Sequence, residues 1–158
     1  MSIVTAITAP LEVLTLSLQG ETFALDAGIV HEILDWVPIT EVPNARPFVG
    51  GLLNVRGKVV PFADLRVSFG MERPERTQDT RIVVIEVNLA GEPTLVGILA
   101  ERVFEVTTLL PTALEEPPPI GMRWNPDFIR AIGKRGDDFI IVLAIDRVFA
   151  AQDAAPRV

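Results

Sequence analysis

The stretch GLLNVRGKVVPFADLRVSFG, residues 51–70, decides the fold more than any other part of the chain. Its Arg56-Gly57 pair stands just before a nearly continuous apolar run, VVPFADL. Glycine beside a polar residue marks a tight turn, and short apolar runs bounded by turns are typical of buried strands in small barrels or sandwiches. The stretch therefore predicts a β-hairpin whose turn presents Arg56.

The same residues superficially resemble a phosphate-binding loop of the pattern G-x-x-x-x-G-K-[ST]. That pattern requires glycine five residues before Gly57, where this chain has Leu52. It also requires Ser or Thr after Lys58, where this chain has Val59, so the hydroxyl that would bind magnesium is missing. We interpret the stretch as a hairpin and not as a phosphate cradle.

Short apolar segments separated by turn residues recur along the rest of the chain. VLTLSLQ, residues 13–19, alternates apolar and polar residues with the period of a half-buried strand, and GETFAL follows it after a tight turn. Helix signals are few: NARPFVGG, with Asn44 as N-cap, and AIDRVFAAQ near the C-terminus. Further strands are predicted at GIVHEILDWVPI, RIVVIEV, TLVGILA and DFIIVLAI, further turns at Ala90-Gly91 and Gly136-Asp137, and a proline-rich loop at PTALEEPPPI. The pattern predicts a mainly β protein.

An internal repeat relates residues 47–69 to residues 127–149. Each segment opens with Phe and a β-branched residue, has a basic–glycine turn, continues as an apolar strand and closes in Asp, Arg, Val and Phe. A repeat of this length indicates two similar lobes. Because each lobe is too small to bury a good core alone, we expect the two to share an apolar seam.

Composition limits the function classes. The chain has 158 residues, of which 49% are hydrophobic, and a formal net charge of −7. A strongly acidic protein is a poor general binder of nucleic acid, and aromatic residues, at 6%, are too few for base-stacking platforms. Cysteine is absent, which removes disulfides, thiolate nucleophiles and Cys-ligated metals. The N-terminus has no signal-peptide pattern and no apolar run is long enough for a membrane helix, so we expect a cytoplasmic protein without direct membrane insertion.

Catalytic and metal-binding candidates are weak. His31 is the one histidine, and Glu32 and Asp35 stand near it, but successive side chains of a strand point to opposite faces. We therefore expect a surface histidine and no metal site. The chain has no Gly-x-Ser-x-Gly elbow, and its carboxylate pairs, Glu115-Glu116 and Asp137-Asp138, fall in predicted turns. The sequence predicts no enzymatic activity and no cofactor.

Positive charge is concentrated around the opening stretch. Residues 41–70 contain four basic and two acidic residues, a net charge of +2, which leaves −9 for the rest of the chain. A basic patch on an acidic protein suits recognition of an acidic partner surface. The alternative is that Arg66 pairs with Asp64 or another carboxylate and that Arg46 is merely solvated.

Arg56 has a specific candidate partner in Glu32, which lies between apolar residues of a predicted strand. The planar guanidinium fits a carboxylate through two parallel hydrogen bonds. If the two residues lie on neighbouring strands, the pair would hold Arg56 at the mouth of a groove.

These residues resemble the CheW family, the adaptors of bacterial chemosensory arrays. The resemblance is specific in ITEVPNARPFVGGLLNVRGKVVPFADLRVSFGM, which is similar to the family's signature of Pro-Asn, Phe-Ile-x-Gly, Asn-Leu-Arg-Gly, Val-Ile-Pro, Asp-Leu-Arg and Phe-Gly. LTLSLQGETFALDAGIVHEIL resembles the family's opening hairpin and its Val-x-Glu-Ile strand. TRIVVIEV, LVGILAERVFEVTTL and FIRAIGKRGDDFIIVLAIDRVF resemble the later strands, so that residues 11–150 are covered.

The resemblance implies a fold of two packed SH3-like five-stranded β-barrels with short helices. The expected single domain spans residues 11–150, with a first lobe at about 20–80, a second lobe at about 81–150 plus the strand 11–18, and flexible termini at 1–10 and 151–158. It also implies a non-catalytic adaptor that links chemoreceptors (methyl-accepting chemotaxis proteins) to the regulatory domain of a CheA-type histidine kinase. A scaffold of an analogous pathway, such as surface motility or development, is the alternative.

The family's receptor-contact positions map onto seven residues by motif. The resemblance implies that Arg56 supports receptor coupling, that Val30 and Val106 form opposite walls of an apolar groove for a helix, and that Gly51 allows close backbone approach. The full set is Val30, Glu32, Gly51, Asn54, Arg56, Gly57 and Val106. The kinase-facing residues stay open, including whether strand edges such as Ile82–Val87 serve as that surface.

Overall fold

The computed structural model describes residues 7–43, 49–118 and 124–153, and twelve strands and two α-helices lie within them. The helices are α1 (Leu65–Ser68) and α2 (Ile145–Asp153). The strands are β1 (Leu11–Leu18), β2 (Glu21–Asp26), β3 (Val30–Asp35), β4 (Thr40–Glu41), β5 (Gly51–Val55), β6 (Lys58–Ala63), β7 (Arg81–Leu89), β8 (Glu92–Ala100), β9 (Arg102–Leu109), β10 (Leu114–Glu115), β11 (Ile129–Arg135) and β12 (Asp138–Leu143).

The strands form two six-stranded sheets, which we call the first lobe and the second lobe. The first has the order β3-β7-β8-β6-β5-β4 and the second the order β9-β1-β2-β12-β11-β10. Each sheet contains five strands of five or more residues and one of two residues, β4 or β10. The mainly β, two-lobed prediction is therefore confirmed, with a short sixth strand added to each lobe.

The two lobes have the same topology, but the second is circularly permuted. β9 to β12 occupy the places of β3 to β6, and the N-terminal hairpin β1–β2 occupies the place of β7–β8. The equivalence extends to the unusual pairing: β6 runs parallel to β8, and β12 runs parallel to β2. The second lobe is therefore completed by the two ends of the described chain.

The predicted division between the lobes near residue 80 was wrong. β7 and β8 belong to the first lobe and β2 to the second, so the chain crosses between sheets at residues 27–29 and again at Glu101. The physical reason is the long-range parallel pairing, in which Phe62 faces Gly97 and Ala63 faces Ile98. Apolar periodicity locates strands but does not reveal which distant strand each one joins.

The internal repeat corresponds to real structural equivalence. Residues 47–69 cover β5, β6 and α1, and residues 127–149 cover β11, β12 and most of α2. The two-residue turn of the first hairpin is Arg56-Gly57 and that of the second is Gly136-Asp137, so the turns are in register and the basic–glycine pair of the second repeat, Arg135-Gly136, lies one residue early. The turn at Ala90-Gly91 is also confirmed.

One apolar core joins the lobes, as the shared seam predicted. It contains Leu16 and Phe23 from the second lobe with Val83 and Ile98 from the first, all essentially fully buried. Phe23 stacks on Phe69, which follows α1, at 5.4 Å between ring centroids. Each sheet also buries a smaller cluster of its own.

The helix predictions had mixed outcomes. The C-terminal helix is confirmed as α2, and because it extends to Asp153 the predicted flexible end does not begin at 151. At the other terminus Ile7 packs against the second lobe's own cluster. The predicted Asn44 N-cap and its helix fall mainly on residues outside the described ranges. Within those ranges, no helix is both long and apolar enough to cross a bilayer.

Candidate functional site

The β5–β6 turn presents Arg56 at one end of the first lobe. Both turn residues have positive φ, 50° at Arg56 and 81° at Gly57, as a two-residue type I′ turn requires. Glycine accepts this geometry freely, whereas a non-glycine residue with positive φ is uncommon. The chain therefore holds a large cation at a position where small or turn-forming residues are preferred.

Two side-chain interactions order this turn. The Gly57 N–H donates to Oδ1 of Asn54 at 2.7 Å, which closes the turn beneath Arg56. Arg56 reaches Glu32 of β3 through two contacts, Nη2 to Oε2 at 2.8 Å and Nη1 to Oε1 at 3.3 Å. The Arg56 side chain remains 80% exposed while that of Glu32 is 22% exposed. The guanidinium is thus oriented by a half-buried carboxylate and faces solvent.

The predicted Glu32–Arg56 pair is confirmed, although the two residues do not lie on neighbouring strands. β3 and β5 are four inter-strand steps apart in the sheet. In a flat sheet these steps would separate them by roughly 19 Å, at about 4.8 Å a step. A side-chain contact across that distance requires the sheet to curl until its ends approach, as in a barrel. The ion pair therefore lies across the mouth of the curled first lobe.

Gly51 packs tightly against residues of its own chain. It is buried at the start of β5, and a Cβ there would lie 2.3 Å from Cγ2 of Ile39 and 3.0 Å from the carbonyl oxygen of Thr40. Only hydrogen fits this space. The close approach at Gly51 is made by residues 39–40 of the chain itself, and the predicted approach of a partner helix stays a prediction.

Val30 and Val106 lie in different lobes. Val30 begins β3 and is partly buried against the shared core, whereas Val106 of β9 is 59% exposed. Four of the seven predicted residues, Glu32, Asn54, Arg56 and Gly57, are therefore brought together by direct contacts, and Gly51 lies three residues before Asn54 on the same strand. β3 also carries an exposed apolar side chain that the sequence did not single out: Ile33, at 43% exposure, which points to the face of the strand opposite to Glu32.

The second lobe carries a counterpart of the Glu32–Arg56 pair. Arg135, at the end of β11, pairs with Glu105 of β9, and these strands are again four steps apart in their sheet. Both edge strands have a bulge at this point, and the Thr15 hydroxyl binds the backbone N–H and carbonyl of Glu105 there. The repeated pattern Val-x-Glu-Ile/Val, at 30–33 and 103–106, is the sequence signal that would have identified the counterpart.

Each lobe has a shallow cleft at equivalent places. The first-lobe cleft, about 480 Å³, includes His31, Lys58 and Val59. The second-lobe cleft, about 590 Å³, has Phe104, Asp138 and Phe139 at the corresponding positions. Val59 and Phe139 are 69% and 60% exposed, which is unusual for large apolar side chains. Exposed apolar side chains grouped in clefts are typical of protein-binding surfaces.

The remaining charged candidates from the sequence are Arg66, Arg46 and His31. Arg66 pairs with Asp64 and Glu101 and is buried, so the alternative of internal pairing is confirmed for it and it adds nothing to an exposed basic patch. Arg46 lies outside the described ranges. His31 is a half-exposed surface residue, as predicted, with its Nε2 3.8 Å from Glu86.

Comparison with known proteins places this geometry in a family. A family model described as a CheW-like domain matches residues 12–153. Chemotaxis protein CheW of Klebsiella aerogenes is 27% identical over 144 residues, which cover 91% of this chain and 84% of that protein. Protein PilI of Pseudomonas aeruginosa is 27% identical over 123 residues, which cover 77% of this chain and 66% of PilI.

The fold agrees with a solved structure. The scaffolding protein TtCheW from Thermoanaerobacter tengcongensis superimposes with a TM-score of 0.78 and 31% sequence identity, over 89% of this chain and 92% of that chain. The match in sequence and the match in fold therefore extend over nearly the same residues. This chain belongs to the CheW-like domain family.

Proposed function

We propose that this protein is a non-catalytic adaptor that couples chemoreceptors to a CheA-type histidine kinase in bacterial chemotaxis. It would act in the cytoplasm, held at the membrane through receptor arrays. Family membership supports the adaptor role, since the solved relative is a scaffolding protein. The observation that carries the proposal is Arg56, an exposed guanidinium held in one orientation by Glu32.

The receptor surface in this proposal centres on the Glu32–Arg56 pair. An amphipathic helix of the receptor's signalling tip would place a carboxylate near the outer edge of Arg56. Because Glu32 holds Arg56 before binding, little side-chain entropy is lost when the helix docks. Val30, Gly51, Asn54 and Gly57 would support this surface from within the first lobe, and Val106 would extend it on the second.

The two equivalent clefts are suited to face the kinase regulatory domain, which the family resemblance gives the same two-lobed fold. Val59 and Phe139 provide an exposed apolar contact on each lobe. The alternative surface at Ile82–Val87 is unsuitable, because β7 lies between β3 and β8 and five of these six side chains are buried.

A scaffold role in an analogous chemosensory pathway is the second candidate. The relationship to PilI favours it, since a relative that carries this domain has a name other than CheW. The identity of the receptors and kinase that co-purify with the protein from its native cell would separate the two pathways.

The decisive experiment compares Arg56→Glu with Arg135→Glu in a pull-down with a receptor signalling fragment and a CheA-type kinase. Both changes reverse an exposed arginine that pairs with a carboxylate of an edge strand, so they are matched in chemistry. We expect Arg56→Glu to lose receptor binding and kinase activation while it keeps kinase binding, and Arg135→Glu to keep receptor binding. Unchanged ternary assembly with Arg56→Glu would show that the receptor site is assigned wrongly.

A further inference from the structure

Arg66 is the one charged residue that is buried among the residues described, with 5% of its surface exposed. It occupies the first turn of α1 in the first lobe, directly after the hairpin that carries Arg56. A buried guanidinium is costly unless its donors are satisfied. Its partners therefore show which parts of the fold it holds together.

The first partner is local. Asp64 is the N-cap of α1, and its Oδ1 accepts the backbone N–H of Arg66 at 3.0 Å. The same carboxylate receives the guanidinium side-on, with Nε to Oδ1 at 2.9 Å and Nη2 to Oδ2 at 2.8 Å. This parallel pair fixes the plane of the guanidinium, so that Nη1 points to a defined place.

The second partner lies at the crossing between lobes. Nη1 of Arg66 donates to Oε2 of Glu101 at 3.0 Å. Glu101 is the single residue between β8 of the first lobe and β9 of the second. Its other oxygen, Oε1, accepts the N–H of Gln19 at 2.9 Å, and its own N–H donates to the Ser17 carbonyl at 3.0 Å. Both of these contacts are with the β1–β2 hairpin of the second lobe.

Arg66 stays protonated over the whole neutral range. Burial alone would lower the pKa of Arg66, but hydrogen bonds and charge from Asp64 and Glu101 outweigh burial, and the pKa lies above its ordinary value. The protonated form is the one that the fold stabilises, so a rise in pH removes the contribution of Arg66 in strongly alkaline solution.

A buried ion pair of this kind is a weak argument for stability, and a role in fixing geometry is the alternative to test. Its desolvation cost offsets much of its attraction, and apolar replacements are often neutral in stability. The apolar contacts of the shared core are non-directional, so small shifts between the lobes change the free energy of the core only slightly. Hydrogen bonds from a fixed guanidinium plane are directional and make such shifts costly.

We propose that Arg66 is a positioning residue that fixes the second lobe against the first through Glu101. The Arg66–Glu101 link connects α1, which follows the Arg56 hairpin, to the residue just before the strand that carries Val106. It therefore sets the relative orientation of the Arg56 and Val106 surfaces toward one partner. This last consequence rests on the proposed receptor surface.

The absence of cysteine allows a direct test of the lobe geometry. Nitroxide labels are attached through Glu92→Cys on the first lobe and Thr108→Cys on the second, both exposed positions outside the proposed site. Distance distributions between the labels are compared for the parent, Glu101→Gln and Arg66→Lys. Glu105→Gln is the matched control, because Glu105 also pairs with an arginine but contacts neither α1 nor Glu101 in the network above.

We expect a broader or displaced distribution in Glu101→Gln and Arg66→Lys and the parent distribution in Glu105→Gln. Arg66→Lys keeps the charge and loses the planar fork, so it separates geometry from charge. Glu101→Gln keeps an acceptor for Gln19 and is the variant to rely on if Arg66→Lys does not fold. A parent-like distribution in Glu101→Gln overturns the proposal.

Receptor binding is measured separately on the same variants. We expect Glu101→Gln to bind a receptor signalling fragment about fivefold or more weakly, the lower end of usual coupling between sites. A changed distance with unchanged receptor affinity would leave the positioning role of Arg66 standing and count against the proposed receptor surface that spans both lobes.

Discussion

Arg56 combines an unfavourable backbone with a favourable side-chain position. An L-residue in the left-handed region costs about 1 kcal/mol or more, and Arg has no local hydrogen bond of the kind that helps Asn there. An exposed ion pair contributes about 0.2–1 kcal/mol, which does not clearly offset that cost. Gln19 and Ala90 have the same left-handed backbone outside the proposed site, so it is the exposed guanidinium held by Glu32 that distinguishes Arg56.

Removal of Glu32 separates orientation from stability. In Glu32→Ala we expect the free energy of unfolding to fall by less than about 1 kcal/mol, since Arg56 is mostly exposed. Receptor affinity should fall clearly, because Arg56 then samples many rotamers. Urea unfolding and a receptor-fragment titration measure the two quantities. A Glu32→Ala protein with parental affinity would remove Glu32 from the site.

At Gly51, in contrast to Glu32, we expect a substitution to act on stability. Gly51→Ala should lower the free energy of unfolding by about 1–3 kcal/mol, as overpacking does, because its Cβ would meet Ile39 at 2.3 Å. The loss should be smaller in an Ile39→Ala background, where Cγ2 is absent. Equal losses in both backgrounds, measured by urea unfolding, would contradict this packing account.

Of the contacts at single residues, the sequence predicts the ion pair between Glu32 and Arg56 but not the packing of Gly51 against Ile39. The Glu32–Arg56 pair was predictable because a carboxylate in an apolar strand and a guanidinium on a turn each require a partner. The contact of Gly51 with Ile39 was not, because glycine has several uses and no sequence pattern shows which side chain approaches it.

At the scale of elements, three hairpin turns share one geometry. Gln19-Gly20, Arg56-Gly57 and Ala90-Gly91 each have positive φ at both residues. Asn-Gly is the favoured pair for such a turn. The three turns therefore form an internal set in which only the first residue differs, and only Arg56 stands in the proposed site.

Substitution with Asn should act differently across this set. We expect Ala90→Asn to raise the free energy of unfolding by about 0.5–1 kcal/mol through relief of the left-handed strain. Arg56→Asn should gain less, because it also loses the Glu32 pair, and it should lose receptor binding. Urea unfolding of both variants gives the difference. An Arg56→Asn protein that binds receptor normally would exclude the guanidinium as the contact.

Apolar runs predicted most of the strands. The main strand that they missed is β9, and the exposure of its side chains explains why. β9 has five exposed residues among its eight, including Phe104 and Val106, so no buried run marks it. α1 is only four residues long, too short for a 3.6-residue period to show. The elements that periodicity misses are therefore a strand with a solvent-facing edge, a single helical turn and the two-residue strands β4 and β10.

At the scale of the whole molecule, the shared core makes the lobes interdependent. We expect a fragment of residues 30–100, the complete first-lobe sheet, to show no cooperative unfolding in urea. Val83, Ile85 and Ile98 would lose the cover of Leu16 and Phe23 and expose apolar surface. The full chain is the control. A cooperative transition of the fragment, with an m-value in proportion to its length, would show that the lobe is autonomous.

The two-lobed architecture was predictable from the repeat, but the order of the strands within each sheet was not. Residues 47–69 and 127–149 resemble each other because their strands take equivalent positions. The β1–β2 hairpin stands in for β7–β8 without a comparable sequence match, since any apolar hairpin of the right length can fill that place. Pairing between distant strands depends on three-dimensional closure, which local patterns do not encode.

The permuted topology has a consequence for synthesis. The β1–β2 hairpin leaves the ribosome before the other ten strands described here, yet β2 pairs with β12, which begins 112 residues after β2 ends. At usual translation rates this interval lasts roughly 6–22 s. The first lobe can be completed within it, while the hairpin waits with an apolar face and unpaired edges exposed to other chains. The N-terminal hairpin is therefore the segment of the nascent protein most in need of a chaperone.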